Sequence, residues 1–170
     1  MAKTEQIKES KTKKGEGVME SVKLVGEIRL VHRDKKGNLR EDRLIKNTIT
    51  TIGKAQLARL MTADITGTSF DWIAVGVGTA GATALGSEST TNGGARRGGA
   101  DVVGTIVTTT LTDDTAQFVT TFTFTGALAL TEEGIFNAAA GGCMLASQSF
   151  AAVNVADGDT LAITHKIKVA

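Results

Sequence analysis

The chain has 170 residues, of which 41% are hydrophobic and 22% are charged, and its formal net charge is +1. This length suits one domain with a real core plus an appendage. The small net charge gives no support for a direct nucleic-acid or membrane partner. Cys143 is the single cysteine, which excludes an intrachain disulfide and a thiolate zinc cluster and suits synthesis in a reducing cytoplasm.

The first segment, residues 1–20, is highly charged and offers almost nothing to bury, which predicts an extended N-terminal arm. A segment of this composition is expected to be disordered when it is isolated. It is either a plain tail, which is common at chain termini, or an arm that orders on a neighbouring subunit or an acidic surface. The candidate partner-contact residues in it are Lys3, Lys8, Lys11, Lys13 and Lys14.

The body, residues 21–170, begins with a hairpin followed by a helix. Residues 22–31 alternate with period two, 34–38 form a turn, and 39–46 return as a strand whose charged face is typical of a sheet edge. Thr50 or Thr51 is predicted to cap a helix over residues 52–62, and its predicted apolar face consists of Gly53, Leu57, Leu60 and Met61.

Further strands follow, and a long glycine-rich loop over residues 78–100 interrupts them. A loop of this length is usually functional or mobile. The strand over residues 116–125 has Phe118, Phe122 and Phe124 on its inner face and threonines on the other. The other predicted elements are strands at 70–77, 103–111, 143–150 and 161–169, and two short strands or a strand and a bend at 127–137.

Eight or nine short strands with turn signals about every 8–12 residues predict an all-β fold. We expect an antiparallel β-sandwich or jelly roll with one short helix and the N-terminal arm. The sequence has no strand–helix–strand rhythm, so a parallel α/β fold is not expected.

Several patterns suggest chemistry, and each also has a simpler explanation. Gly76 to Gly81 matches G-x-G-x-x-G after a strand. The residues that follow show no helical period, so the sequence does not predict the helix N-terminus whose amides would hold a phosphate. The aspartates at 113–114 and 157–159 have calcium-binding oxygens, but neither group has the further acidic residues of a dedicated calcium site, and ordinary turns explain both. We therefore expect no cofactor, no metal and no small-molecule substrate.

The acidic, histidine and arginine residues of the body also have a functional and a simpler explanation. Glu132 and Glu133 are adjacent, so on a strand they point to opposite faces, one to solvent and one to a neighbour, which is poor geometry for a catalytic pair. His32 and His165 are expected to be hydrogen-bonded sheet residues, since no nucleophile elbow supports a triad. The basic pair Arg96 and Arg97 either contacts an acidic partner or lies on a solvated loop.

The order of motifs over roughly residues 22–170 resembles a family of tailed-bacteriophage virion proteins. The motifs are the turn at 34–38, Lys46-Asn47-Thr48-Ile49-Thr50, residues 53–58, Phe70-Asp71-Trp72-Ile73-Ala74-Val75-Gly76, residues 113–118, Thr131-Glu132-Glu133-Gly134-Ile135-Phe136-Asn137, residues 142–146 and residues 154–159. Related patterns are similar to those of head decoration proteins and of tail, baseplate or fibre components.

The resemblance implies a non-enzymatic virion structural protein that is assembled in the host cytoplasm. The favoured role is a capsid decoration (cement) protein, whose partners would be the phage major capsid protein and copies of itself, as a trimer. The alternative is a tail, baseplate or fibre-attachment protein. A sugar-binding or hydrolytic sandwich is disfavoured, because Trp72 and most of the six phenylalanines fall on predicted core faces.

Overall fold

A computed structural model describes residues 22–61 and 69–170. The predicted arm, with its five lysines, therefore lies outside the described residues. The elements in chain order are β1 (Leu24–Arg33), β2 (Leu39–Ile49), α1 (Thr51–Leu60), β3 (Trp72–Gly76), β4 (Arg97–Gly98), a 3-10 turn (Gly99–Asp101), β5 (Val103–Val107), β6 (Thr115–Thr123), β7 (Leu128–Phe136), β8 (Met144–Val155) and β9 (Thr160–Val169).

The strands pair antiparallel in the order β4-β3-β7-β8-β2-β1-β9-β6-β5. Strand β2 joins the two halves of this sheet: it pairs with β1 along most of its length but with β8 only through Thr48–Ser147 and Ile49–Ala146. The sheet curls at this junction, and its two halves face each other as in a sandwich. The predicted all-β, antiparallel sandwich-like fold with one short helix is confirmed.

The core lies between the two halves of the sheet. Side chains that point inward at every second position of the strands fill it from both sides. Each strand places every second side chain inward, so a strand with one apolar face buries that face and exposes the other. Phe122 on β6 and Phe124, directly after it, are buried as predicted, with ring centroids 6.3 Å apart, and Phe118 is partly buried. The other large core residues are Ile28, Leu30, Leu161 and Ile163 from one half and Ile73, Leu130, Ile135 and Val153 from the other.

Helix α1 begins where it was predicted to begin, and half of the predicted apolar face is confirmed: Gly53 is buried and Leu57 packs against the core, whereas Leu60 and Met61 are exposed. Thr50 is the N-cap, and its hydroxyl accepts the N–H of Gly53 at 2.9 Å. The residues that α1 buries are Gly53 and Gln56, while Met61 is 85% exposed. The reason is close approach: a Cβ on Gly53 would overlap the backbone of Leu145, so the helix rests on β8 through its glycine.

Strand β7 is a single element, not two short strands or a strand and a bend. Its pairing with β8 shifts register between Leu130 and Glu132, whose partners Val153 and Ser149 are further apart in sequence, so the extra residues lie on β8. The irregularity on β8 therefore leaves β7 continuous beside its two adjacent glutamates.

Candidate functional site

The glycine-rich loop after β3 is fastened to the sheet by the Glu132 carboxylate. Oε1 of Glu132 accepts the N–H groups of Gly78 at 3.1 Å and Ser87 at 2.7 Å, and Oε2 accepts the N–H of Gly86 at 2.7 Å. Glu132 is fully buried. Burying a carboxylate is costly unless hydrogen bonds replace its hydration, and three amide donors do so here.

This arrangement explains the G-x-G-x-x-G match at residues 76–81. The amide of Gly78 points at the Glu132 carboxylate, and the chain turns back through a hydrogen bond from Gly81 N to Ala84 O without starting a helix. A Cβ on Gly76 would overlap the Glu132 side chain. The glycines therefore give room to a carboxylate of the same chain.

The same loop is clamped a second time by Arg96. Its guanidinium forms a bidentate pair with Glu88, with N–O distances of 2.9 and 2.6 Å, and donates to the carbonyl oxygens of Ala138 and Gly141 at 2.7 and 3.0 Å. It also lies 3.8 Å above the centre of the Phe136 ring. The Arg96 side chain is only 7% exposed. Its donors are thus directed to partners within the chain.

Arg97, on β4, is the more accessible member of the basic pair. Its side chain is 32% exposed and lies 3.8 Å from Asp101. Of the residues expected to contact a partner, Arg96 and Arg97 are adjacent but face different surroundings, and the arm lysines lie outside the described residues. Contact of these residues with another protein stays a prediction.

Glu132 and Glu133 point to opposite faces of β7, as predicted, but the expectation that one of them faces solvent is wrong. Both are fully buried, because the glycine-rich loop covers the outer face of the strand at Glu132. On the inner face, Oε1 of Glu133 lies 2.9 Å from Nδ1 of His165. The buried acidic pair therefore serves two separate contacts, one with the loop and one with the core.

His165 connects Glu133 to Asn47. The Nδ2 of Asn47 contacts Nε2 of His165, and a Cβ on Gly26 would overlap the Asn47 amide. The remaining acceptors, Oε2 of Glu133 and Oδ1 of Asn47, are buried and have no hydrogen-bond partner among the described residues. The second ring nitrogen of His165 thus faces an amide where a catalytic triad would place a hydroxyl.

The other sheet histidine and the aspartate-rich turns also form structural contacts. Nε2 of His32 lies 3.0 Å from Oδ2 of Asp159, and Asp159 also accepts the N–H groups of Lys35 and Ala156. The expectation that both histidines are hydrogen-bonded sheet residues is confirmed. Among residues 22–61 and 69–170, no group of three or more His, Cys, Asp or Glu side chains is arranged to hold a metal ion.

Asp114 closes the turn before β6 in a similar way. Its carboxylate accepts the N–H groups of Leu111, Thr110 and Thr109, each at 2.9 Å. Burial raises the pKa of Asp114, but these three N–H groups outweigh burial and hold the pKa well below its usual range. The carboxylate is therefore charged at neutral pH and holds the turn.

A cleft of about 380 Å³ lies where the glycine-rich loop approaches the start of α1 and strand β8. Its lining includes the polar residues Thr48, Thr51, Ser147 and Gln148 as well as small residues of the loop at 80–82. Ser149 accepts the N–H of Ala80 at 2.8 Å, which ties the loop to this wall. The buried glutamates and histidines belong to other contacts.

No family model, curated protein or solved structure matches this chain. Within the described part of the chain, no helix has the length and apolar character needed to cross a membrane. What the fold defines is a class: an all-β, antiparallel, sandwich-like protein with one short helix.

Proposed function

We propose that this chain is a non-enzymatic structural protein of a tailed-bacteriophage virion, and that it decorates the outside of the capsid as a cement protein. One observation carries the proposal: the motifs of the resemblance coincide with the residues that build the body. The motif at 70–76 includes core strand β3, the motif at 131–137 carries Glu132 and Glu133, and the motif at 157–159 anchors His32.

A cement protein needs a body that keeps its shape under load, and the long loop of this chain is held accordingly. Glu132 fastens the loop near its beginning, and Arg96 fastens its end to the turn around residues 138–141. Such a body suits a place across the joint between capsid subunits, as a trimer. In this proposal Glu132 and Arg96 keep the body rigid, and the arm and Arg97 make the contacts with the capsid.

The proposed contacts to the major capsid protein are electrostatic and come from the arm. Its five lysines, Lys3, Lys8, Lys11, Lys13 and Lys14, and the more exposed Arg97 would meet acidic surface. An arm that orders only on its partner buries new surface at an entropic cost, so it binds where the lattice is present. Many identical weak contacts then add up to firm attachment.

Rebinding to capsids that have been stripped of this chain tests the proposal. The full chain is compared with a variant in which the five arm lysines are replaced by glutamine, and with a control that carries Lys36→Gln and Lys54→Gln on the exposed body. We expect saturable binding by the parent and the control, weaker binding by the arm variant, and a loss of binding with salt. Binding to tails and not to capsids would contradict decoration and favour the tail or baseplate alternative.

A further inference from the structure

The two ends of the sheet are protected very differently. At one end, the loop covers β3: Val77 N donates to Ser87 O and Ser89 N to Val75 O, both at 2.9 Å, and β4 adds two paired residues. At the other end, β5 is the terminal strand, and within the described residues it pairs with β6 alone. One edge of the sandwich is therefore closed, and the other presents a row of backbone donors and acceptors.

The open strand has none of the features that usually protect an edge. Its sequence, Val-Gly-Thr-Ile-Val, contains no charge and no proline, and Val103 and Ile106 are 57% and 61% exposed. Natural edge strands are commonly protected by lysine, proline or a bulge. A short uncharged strand with branched side chains, in contrast, pairs readily with another strand. The absence of charge also means that two copies of this edge do not repel each other.

We propose that β5 is a self-association edge, on which β5 of a second copy of this chain pairs antiparallel about a two-fold axis at Thr105. In this register Thr105 faces Thr105 of the second copy, Val103 faces Val107, and Gly104 faces Ile106. A two-fold contact requires a surface that complements itself, and here the small Gly104 of each copy faces the large Ile106 of the other. The inference concerns the body alone and stands whether or not the chain is a virion protein.

The inner face of β5 supplies the complementary shape. Gly104 pairs with Phe118 on β6, and a Cβ at Gly104 would find only the Phe118 ring, at 3.8 Å. The space over Gly104 is therefore open, and Phe118 bounds it. Ile106 of the second copy would fill this space and cover the ring, and the two-fold axis repeats the contact in the other copy.

The size of the edge sets the strength of the contact. Five residues of strand span about 17 Å, and a stable interface buries about 1,200–2,000 Å² in total. The edge alone is smaller than that, so free copies should associate weakly, and pairing should increase where copies are concentrated. Because the strand is uncharged, salt should not weaken the association, unlike the proposed contacts of the arm.

Disulfide trapping tests the register. In a Cys143→Ala background, Thr105→Cys places two thiols opposite each other, where antiparallel Cα atoms lie about 4.5–5.5 Å apart and disulfides are accommodated. Val103→Cys is the control, because its own counterpart lies about 14 Å away along the strands. We expect a crosslinked dimer from Thr105→Cys alone. The absence of a crosslink from Thr105→Cys, or equal crosslinking of the control, would overturn the proposal.

Sedimentation velocity across a concentration series tests the contact without a crosslink. Gly104→Val fills the open space, and its Cβ would meet the Phe118 ring at 3.8 Å, so the fold should be kept and association through this edge lost. Ile106→Lys should also abolish the concentration dependence. Leu44→Lys is the control, because Leu44 is 68% exposed on β2, away from the edge, and this variant should associate like the parent. Unchanged association of Gly104→Val would refute pairing through this edge.

Discussion

Replacing Glu132 by glutamine isolates the contact that fastens the glycine-rich loop. Glutamine has nearly the same shape, but it exchanges one carboxylate oxygen for an NH₂ group. Its oxygen can still accept the N–H groups of Gly78 and Ser87, as Oε1 does now, while the NH₂ group would face the N–H of Gly86. The variant therefore loses one charge-assisted hydrogen bond, weakens two, and brings two donors together.

The expected loss follows from these three contacts. A hydrogen bond to a charged group contributes about 1.5–3 kcal/mol, and an unsatisfied buried donor costs about 1–3 kcal/mol. Since glutamine keeps two of the three bonds, we expect the free energy of unfolding to fall by about 3 kcal/mol. For a chain of this length, this corresponds to a decrease in Tm of about 6–12 °C.

Urea unfolding and amide hydrogen exchange measure the two consequences separately. Exchange should accelerate over residues 78–87 more than in β1 or β9, because the loop loses its anchor. Glu27→Gln is the control: Glu27 lies on the exposed face of β1, 3.7 Å from Lys166, and its loss should change stability by no more than about 0.5 kcal/mol. A Glu132→Gln variant that is as stable as the parent, or more stable, would refute the structural role. Such a result is typical of an acidic residue that is kept for function at a cost in stability.

Arg96 in the loop, Asp34 in the first turn and Gly53 in helix α1 give three further predictions. Arg96→Lys should lower the free energy of unfolding by about 2 kcal/mol, because an ammonium cannot form the bidentate pair with Glu88 or stack on Phe136 in the same way. Arg97→Lys, the control, should change it by at most about 0.5 kcal/mol. Equal losses of the two variants in urea unfolding would contradict this. The pKa of Asp34 is lowered from 3.8 to about 2, chiefly by the hydrogen bond that the side-chain amide of Asn38 donates. The stability that Asp34 contributes is therefore complete above about pH 4 and is lost as the pH falls through 2, so Asp34→Asn should flatten the stability profile in that window. Gly53→Ala, which would stabilise an ordinary helix interior, should lower Tm because its Cβ would overlap the backbone of β8; an increase in Tm would contradict the observed packing.

Features that depend on local alternation could be predicted from the sequence. Strands β1, β6 and β9 each bury one face, so a period-two pattern identifies both the strand and its inward residues. The start of α1 was also predictable, because a threonine at position 50 can accept the N–H of Gly53, which has no partner within the helix.

Features that depend on distant backbone could not be predicted in this way. The amides that hold Glu132 come from residues 45 to 54 positions away, and a backbone N–H leaves no signature in the sequence. Arg96 was expected to contact a partner or to lie on a solvated loop, because Glu88 and Phe136, which hold it buried, come near it only in the folded chain. One signal was present: two adjacent acids within the apolar run of β7 are unusual, and their charge requires buried partners.

We propose that this chain is a structural component of the virion that attaches to the capsid lattice. Cryo-electron microscopy of purified virions, with this sandwich placed in the density, tests that claim most directly. We expect the body to be repeated across the outer surface of the capsid, at joints between subunits, with residues 1–20 lying along a neighbour. Density for this fold only at the tail or baseplate would contradict decoration, and its absence from the virion would contradict a structural role altogether.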